Sequence, residues 1–372
     1  MTQTKSDPLY WLTSLRSKWV GNSAFSKIKG ESTPSFLCYG EPDKVVRLSP
    51  DVFNKRKYWY IIGDIHGDMY ALFQEVMFIR KEHLDDKHGF GIIFLGDLID
   101  RGPHPLECLW FLLKFSESYP DQLLWIAGNH DIAFSRNEEE NSYTSSVSPA
   151  EFLECLNSQQ IDSVYKDFGK EYIELAAGLP RAVLLPDGLL LTHGGFPLVD
   201  LQSQLEQCKD DAQRQQWLNS PAALQDFTWT RITRYPKKRP NRESKGCSYG
   251  YKDFEAFCNA TTDFFPVKRL VTAHEHPDGG FDLHPEWKDT PALTLTGFGF
   301  HPNYESAEAY NSNYRDHLVI ARCRENDLPE IIKIPVDRHD LKAFYDAEIA
   351  PRFASAAAPS DALTADATKL QA

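Results

Sequence analysis

The sequence predicts an α/β fold whose functional side chains gather along one sheet edge, and three observations carry that prediction. From Tyr58 onward, short apolar runs alternate with stretches of helical periodicity. Three of the runs end at Gly63-Asp64, Gly96-Asp97 and Gly128-Asn129. The order strand, helix, strand, helix, strand therefore delivers a polar residue at each strand's carboxyl end, the edge where open α/β sheets bind ligands.

Each element has its own warrant. Trp59 to Ile62 is a short apolar run ending at Gly-Asp, which reads as a buried strand. Leu72, Phe73, Val76, Met77 and Ile79 then recur at helical spacing. Ile92 to Leu95 is the second strand, and the helix from Pro105 to Tyr119 opens with a proline whose missing N–H costs nothing in a first turn. Leu123 to Ala127 is the third strand. Residues 134–180 read as a polar helical insertion, with the acidic run Glu138–Glu140 on a solvated face. Ala182 to Leu185, a Pro-Asp-Gly turn and Leu189 to Leu191 read as a hairpin. Later strands are expected at Leu270–Thr272, Leu293–Thr296, Leu318–Ala321 and Ile331–Ile334. Residues 1–57 read as an N-terminal extension packing on a main domain of residues 58–345. Residues 346–372, rich in Ala, Ser, Thr and Asp, read as a disordered tail.

Composition bounds the class. In 372 residues, 42% are hydrophobic and 25% charged, as in soluble globular proteins, and no apolar run approaches a bilayer-spanning length. The formal charge of −13 argues against a nucleic-acid binder, which needs a basic face. Seven scattered cysteines without a CxxC pair point to reduced thiols and a cytoplasmic location.

Three motifs carry the chemistry: Gly63-Asp64-Ile65-His66-Gly67, Gly96-Asp97-Leu98-Ile99-Asp100-Arg101-Gly102 and Gly128-Asn129-His130-Asp131. Asp and His supply the oxygen and imidazole donors that suit hard and borderline divalent metals. A carboxylate such as Asp97 can bridge two ions. A single Gly-Asp pair after a strand is an ordinary turn; three in succession on this pattern are a site.

Taken together, these motifs resemble those of the calcineurin-like metallophosphoesterases, specifically the bacterial phosphoprotein phosphatase-like (PPP) branch. His193-Gly194-Gly195, the Val271–His274 segment and His301-Pro302-Asn303-Tyr304 extend the resemblance, which covers about residues 58–305. It implies a sandwich of two mixed β-sheets flanked by helices and a centre of two divalent ions, Mn²⁺ or an Fe/Zn pair. Asp64 and His66 would hold the first ion, Asn129, His193 and His274 the second, and Asp97 would bridge them. His130 and Asp100 would form an acid dyad beside the leaving group, Arg101 would bind phosphate, and Tyr304 would line the mouth. A second phosphate-binding arginine is expected at Arg242, with Arg231 as the alternative. A hydroxide shared by the ions would attack phosphorus directly.

The implied substrate is a phosphorylated protein (on Ser, Thr or Tyr) or a small phosphoester, with no nucleic acid and no membrane. Asp131 stands where protein phosphatases of the branch usually carry Glu, whereas a diadenosine-polyphosphate hydrolase branch carries Asp; that hydrolase activity is the alternative. A phosphate-binding regulatory protein with a vestigial site is a third reading, opposed by the complete ligand set. His276 shares a strand face with His274 and is an alternative to it as ligand. Cys208 and Arg214 match the spacing of a cysteine phosphatase, but the polar residues between them build no phosphate cradle.

Overall fold

In the computed structural model, the described residues are 36–336 except 87, 120, 159–165, 199–203, 205–206, 243–244, 289, 302–312 and 325. Two six-stranded mixed sheets stack face to face, with helices on both outer faces. In chain order the strands are β1 Phe36–Leu37, β2 Val45–Arg47, β3 Tyr58–Ile62, β4 Phe90–Phe94, β5 Leu123–Trp125, β6 Phe134–Asn137, β7 Ser142–Ser145, β8 Ala182–Leu184 and β9 Leu189–Thr192. There follow β10 Arg231–Ile232, β11 Arg239–Pro240, β12 Cys247–Tyr249, β13 Arg269–Thr272, β14 Phe281–Leu283, β15 Ala292–Leu295, β16 His317–Arg322 and β17 Glu330–Pro335. The helices are α1 Pro50–Phe53, α2 Met69–Glu82, α3 Pro105–Ser118, α4 Glu151–Ser158, α5 Lys166–Gly178, α6 Asp211–Leu218, α7 Pro221–Trp229 and α8 Tyr251–Thr261.

The first sheet runs β1-β5-β4-β3-β16-β17 and the second β14-β15-β13-β9-β8-β2. β3, β4 and β5 are parallel neighbours in register Tyr60↔Ile92↔Leu123, so their carboxyl ends lie side by side. β9 and β13 are likewise parallel, Leu191 opposite Val271. Each strand of these sets is apolar on both faces, as a doubly covered sheet requires. Ile61, Ile93, Leu124, Leu191, Val271 and Leu293 fill the space between the sheets and are fully buried. Side chains of this size contribute about 1.5–3 kcal/mol each by leaving water. α2, α3, α4 and α5 cover the outer face of the first sheet; α7 and α8 cover the second.

Two expectations need correction. The segment 134–180 is not helical throughout: Phe134–Asn137 and Ser142–Ser145 form an antiparallel hairpin, and helix begins only at Glu151. Phe134 and Tyr143 point into the core, which holds the hairpin down, while Glu138–Glu140 lie exposed at its turn. Residues 36–47, read as part of an extension, are built into the sandwich: β1 pairs with β5 and β2 with β8, one edge strand for each sheet. The tail and residues 1–35 lie outside the described residues.

Candidate metal centre

Both sheets end at one place. β3, β4 and β5 present Asp64 with His66, Asp97, and Asn129 with His130 just past their carboxyl ends; β9 and β13 present His193, and His274 with His276. The seam between the sheets is tight. Asp64 bridges to Thr296, and a Cβ on Gly63 would stand 2.4 Å from the Leu295 carbonyl oxygen. A Cβ on Gly128 would stand 2.1 Å from Asp97 Oδ1, so only glycine lets the third motif close on the second.

Asp64, His66, Asp97, Asn129, His130, His193 and His274 are all buried, and His276 is 19% exposed. Their donor atoms form three overlapping groups, each within 4.8 Å: Asp64, His66 and His276; His66, Asp97 and His130; Asp97, His193 and His274. The His193 Nε2 lies 3.0 Å from Asn129 Oδ1, 3.1 Å from His274 Nδ1 and 3.3 Å from Asp97 Oδ2. His66 and His193 turn their Nδ1 atoms to the carbonyl oxygens of Ile99 and Leu95, both at 2.9 Å. A carbonyl can only accept, so each neutral ring carries its proton on Nδ1 and aims an Nε2 lone pair inward.

That geometry fits divalent ions. The Nε2 atoms of His66 and His276 are buried without a hydrogen-bond partner, although one lies 3.5 Å from Asp97 Oδ2 and the other 3.2 Å from Asp64 Oδ2. A buried polar atom left unpaired costs about 1–3 kcal/mol. The His66 lone pair, aimed at Asp97 with no proton between, is satisfied by a cation, and the His276 nitrogen stands equally close to Asp64.

The electrostatics agree. Burial pushes the His66 imidazole well below its ordinary range, and burial with neighbouring His193 does the same for His274, so both are neutral donors. Burial would raise Asp97, but His193 and His130 outweigh it and hold the carboxyl well below its usual range. Burial would lower His193, yet Asp97 and Asp64 push it up to about 9. The pocket draws in positive charge.

Hydrogen bonds lock the loops. Asp131 Oδ2 accepts from the N–H groups of Asp97 (2.8 Å) and Gly128 (2.9 Å), and Oδ1 from Leu98 (3.1 Å). Burial and the Asp97 charge push Asp131 up to about 7. His130 donates its backbone N–H to Asp97 Oδ1 at 2.8 Å, and its Nδ1 lies 2.7 Å from Asp100 Oδ2. The other Asp100 oxygen accepts from Phe152 N (2.8 Å) at the start of α4, whose Glu151 accepts from Arg101 N (2.8 Å). Thus the segment after the hairpin braces the dyad. His66, Asp97, Asp100, Arg101 and His274 all adopt positive φ, between 47° and 66°. Each such residue costs on the order of 1 kcal/mol, strain that the surrounding bonds must hold in place.

The structure therefore brings together Asp64, His66, Asp97, Asp100, Asn129, His130, His193 and His274, with Arg101 half-buried beside His66 and His130. Arg242 is exposed, whereas Arg231 is half-buried and donates from Nη1 to the His274 carbonyl at 3.0 Å. Geometry thus favours the alternative arginine. His276 joins the cluster together with His274 rather than instead of it; the two-residue spacing was the available signal. Tyr304 lies outside the described residues. All seven cysteines are free, and Arg214 pairs with Asp211 at 2.9 Å, so among the described residues no thiolate cradle forms around Cys208.

Fold and donor set together define a metal-dependent phosphoester hydrolase scaffold. The chain belongs to the calcineurin-like phosphoesterase family, whose model matches residues 60–278, more than half of its length. Among curated proteins it is similar to the serine/threonine-protein phosphatase 2B catalytic subunit A2 of Saccharomyces cerevisiae, 22% identical over 74% of this chain and 47% of that protein. It is also similar to serine/threonine-protein phosphatase T of Schizosaccharomyces pombe, 24% identical over 60% of this chain and 42% of that one. The chain thus spans about half the length of these relatives. A solved serine/threonine phosphatase from S. cerevisiae, with similarity to human phosphatase PP5, superposes over 90% of this chain and 91% of its own. Its TM-score is 0.50 at 15% identity, a likeness of fold.

Proposed function

We propose that this chain is a dinuclear-metal phosphomonoesterase acting on phosphoproteins. The observation that carries the reading is the convergence, from two sheets, of Asp64, His66, His276, Asn129, His193 and His274 around Asp97, with buried imidazole nitrogens of His66, His274 and His276 left without hydrogen-bond partners. In this reading Asp64, His66 and His276 hold one ion, Asn129, His193 and His274 the other, and Asp97 serves both. The oxygen and imidazole donors suit Mn²⁺ or an Fe/Zn pair. Two such ions would supply a Lewis acid for the phosphoryl oxygens and lower the pKa of water.

The protein's own residues do the rest. Arg101 and Arg231 contribute positive charge on the rim of the cluster, where phosphoryl oxygens would sit. His130 holds a proton for the departing oxygen: burial would lower it, but Asp97 and Asp100 outweigh that and raise it. Asp100 orients the ring through Nδ1, leaving Nε2 as the donor. The relatives' names favour serine or threonine phosphoesters in proteins. Seven free thiols support a cytoplasmic site of action, and among the described residues no helix is long and apolar enough to cross a membrane.

Asp131 favours one competitor, a dinucleoside polyphosphate hydrolase, through the resemblance of its motif. Turnover of phosphoserine, phosphothreonine and phosphotyrosine peptides, measured beside a dinucleoside polyphosphate with Mn²⁺ and with chelator, separates the readings. Chelator-sensitive release of phosphate from the peptides is expected. Preferential cleavage of the dinucleotide overturns the phosphoprotein assignment, and metal-independent activity overturns the centre.

A further inference from the structure

Beside the metal cluster stands a basic segment of which the reading above uses only Arg231. Residues 231–242 carry Arg231, Arg234, Lys237, Lys238, Arg239 and Arg242 and no acid, a local charge of +6 in a chain of −13. The remaining residues therefore sum to −13 − 6 = −19. A polyanion that meets net negative charge in the rest of the chain meets concentrated positive charge here.

That place is anchored to the site. Arg231, at the root of the segment, bonds the His274 carbonyl and lies 3.3 Å from Glu275. The Trp229 ring, two residues earlier, meets His274 edge-on at 6.3 Å. β10 pairs with β12, whose Tyr249 hydroxyl donates to the carbonyl of Gly194, the neighbour of His193, at 3.0 Å. Beyond this root the segment is exposed but ordered. β11 pairs with β12, Lys252 N donates to Pro236 O at 2.9 Å, and Lys238 Nζ donates to Leu198 O at 3.2 Å. The Arg239 guanidinium lies 3.4 Å from the centroid of the Tyr235 ring, itself 40% exposed. An arm bearing several exposed cations is therefore hydrogen-bonded to the loops that carry two of the metal-site histidines.

We propose that this arm is a docking platform that selects phosphopeptides with acidic residues flanking the phosphorylated one. The inference rests on the phosphoprotein reading and adds to it the sequence context of the substrate. A phosphate seated at the cluster places neighbouring residues against the arm. Their carboxylates find cations there, whereas lysines meet like charge. Like charges at a binding surface suppress wrong partners as effectively as opposite charges recruit right ones.

The test uses the full chain loaded with Mn²⁺ and three phosphoserine peptides alike except for flanking Glu, Ser or Lys. Exposed ion pairs are each worth up to about fivefold, so a preference of about tenfold in kcat/KM for the Glu over the Lys peptide is expected. The preference shrinks as salt rises from about 0.05 M to about 0.5 M, because the screening length falls from about 14 Å to about 4 Å and exposed pairs weaken. Arg234→Gln/Lys237→Gln reduces it to below about threefold, with p-nitrophenyl phosphate turnover, metal content and Tm as internal references. Lys237→Glu alone, a single exposed change, lowers the preference in the same direction. Peptide hydrolysis indifferent to flanking charge, or a preference that survives both variants, overturns the platform and leaves the phosphoprotein reading intact. Turnover of p-nitrophenyl phosphate with none of any peptide overturns both.

Discussion

The substitution His130→Asn isolates proton donation from metal chemistry. The His130 backbone N–H bonds Asp97 Oδ1 at 2.8 Å, and that bond needs no imidazole, so the loop should survive the change. What is lost is the ring held 2.7 Å from Asp100, where Asp97 and Asp100 outweigh burial and favour the protonated form. A positioned general acid is worth about 10²–10⁴-fold, or about 2.7–5.5 kcal/mol. A serine-type alkoxide needs that proton on departure, whereas p-nitrophenolate leaves readily without it. His130→Asn should therefore lose about 10²–10⁴-fold in kcat on an alkyl phosphate and far less on the aryl ester. Asp100→Asn keeps an oxygen for Phe152 N but replaces a charge-assisted bond with a neutral one. That exchange costs the difference between the two kinds of bond, about 1–1.5 kcal/mol, roughly 5- to 13-fold on the alkyl substrate. Steady-state kinetics on both substrates, with metal content measured on each variant, decide the matter. Equal losses on the two esters at unchanged metal content would refute the general-acid role.

Three further outcomes are expected. Asp97→Asn should lower the metal stoichiometry from two per chain and nearly abolish turnover, read by elemental analysis and kinetics; full activity would remove Asp97 from the bridging position. His276→Ala should weaken binding of one ion by at least about tenfold, a loss typical even for residues that only support a ligand; an unchanged titration curve would return His276 to the surface. Glu75, on α2, is wholly buried with neither carboxylate oxygen hydrogen-bonded. Burial and the Asp68 charge push it well above its ordinary value, with Arg315 partly opposing. The folded chain then holds a proton that the unfolded chain releases above about pH 4.3, so stability falls as pH rises through that window, by up to about 1.4 kcal/mol per pH unit. Glu75→Gln should flatten the fall, and parallel Tm profiles for the two proteins would show that Glu75 is not its source.

The site was more legible in the sequence than the fold's margins. Asp64, Asp97 and Asn129 each follow an apolar run through glycine, so one-dimensional order already placed them at strand ends on one edge. The hairpin at 134–145 was misread because Ser135, Arg136 and the acidic turn mask the two positions that matter, Phe134 and Tyr143. Their burial depends on α4 and α5, which arrive later in the chain. β1 and β2 have two and three residues, too few for any periodicity, and are strands only because β5 and β8 offer free edges. The choice between Arg231 and Arg242 was equally non-local: it depends on where the His274 carbonyl falls, and spacing from a motif cannot report that.

The seam has a thermodynamic consequence. Asp64, His66, Asp97 and Asn129 belong to one sheet, and His193, His274 and His276 to the other, so ions held by both sets would clamp the two halves of the sandwich. Ligands that bind only the assembled state add RT ln(1 + [L]/Kd) to its stability, about 2.7 kcal/mol at a hundredfold excess over Kd. The distance between the sheets, and with it the fit of the cavity to an ion, is set by Ile61, Ile93, Leu191 and Val271 packed behind the site. A trimmed methyl group there leaves every donor side chain in the sequence, yet it lets the sheets shift and so changes the spacing those donors share. Metal preference would then depend on the apolar interior as much as on the side chains proposed to hold the ions.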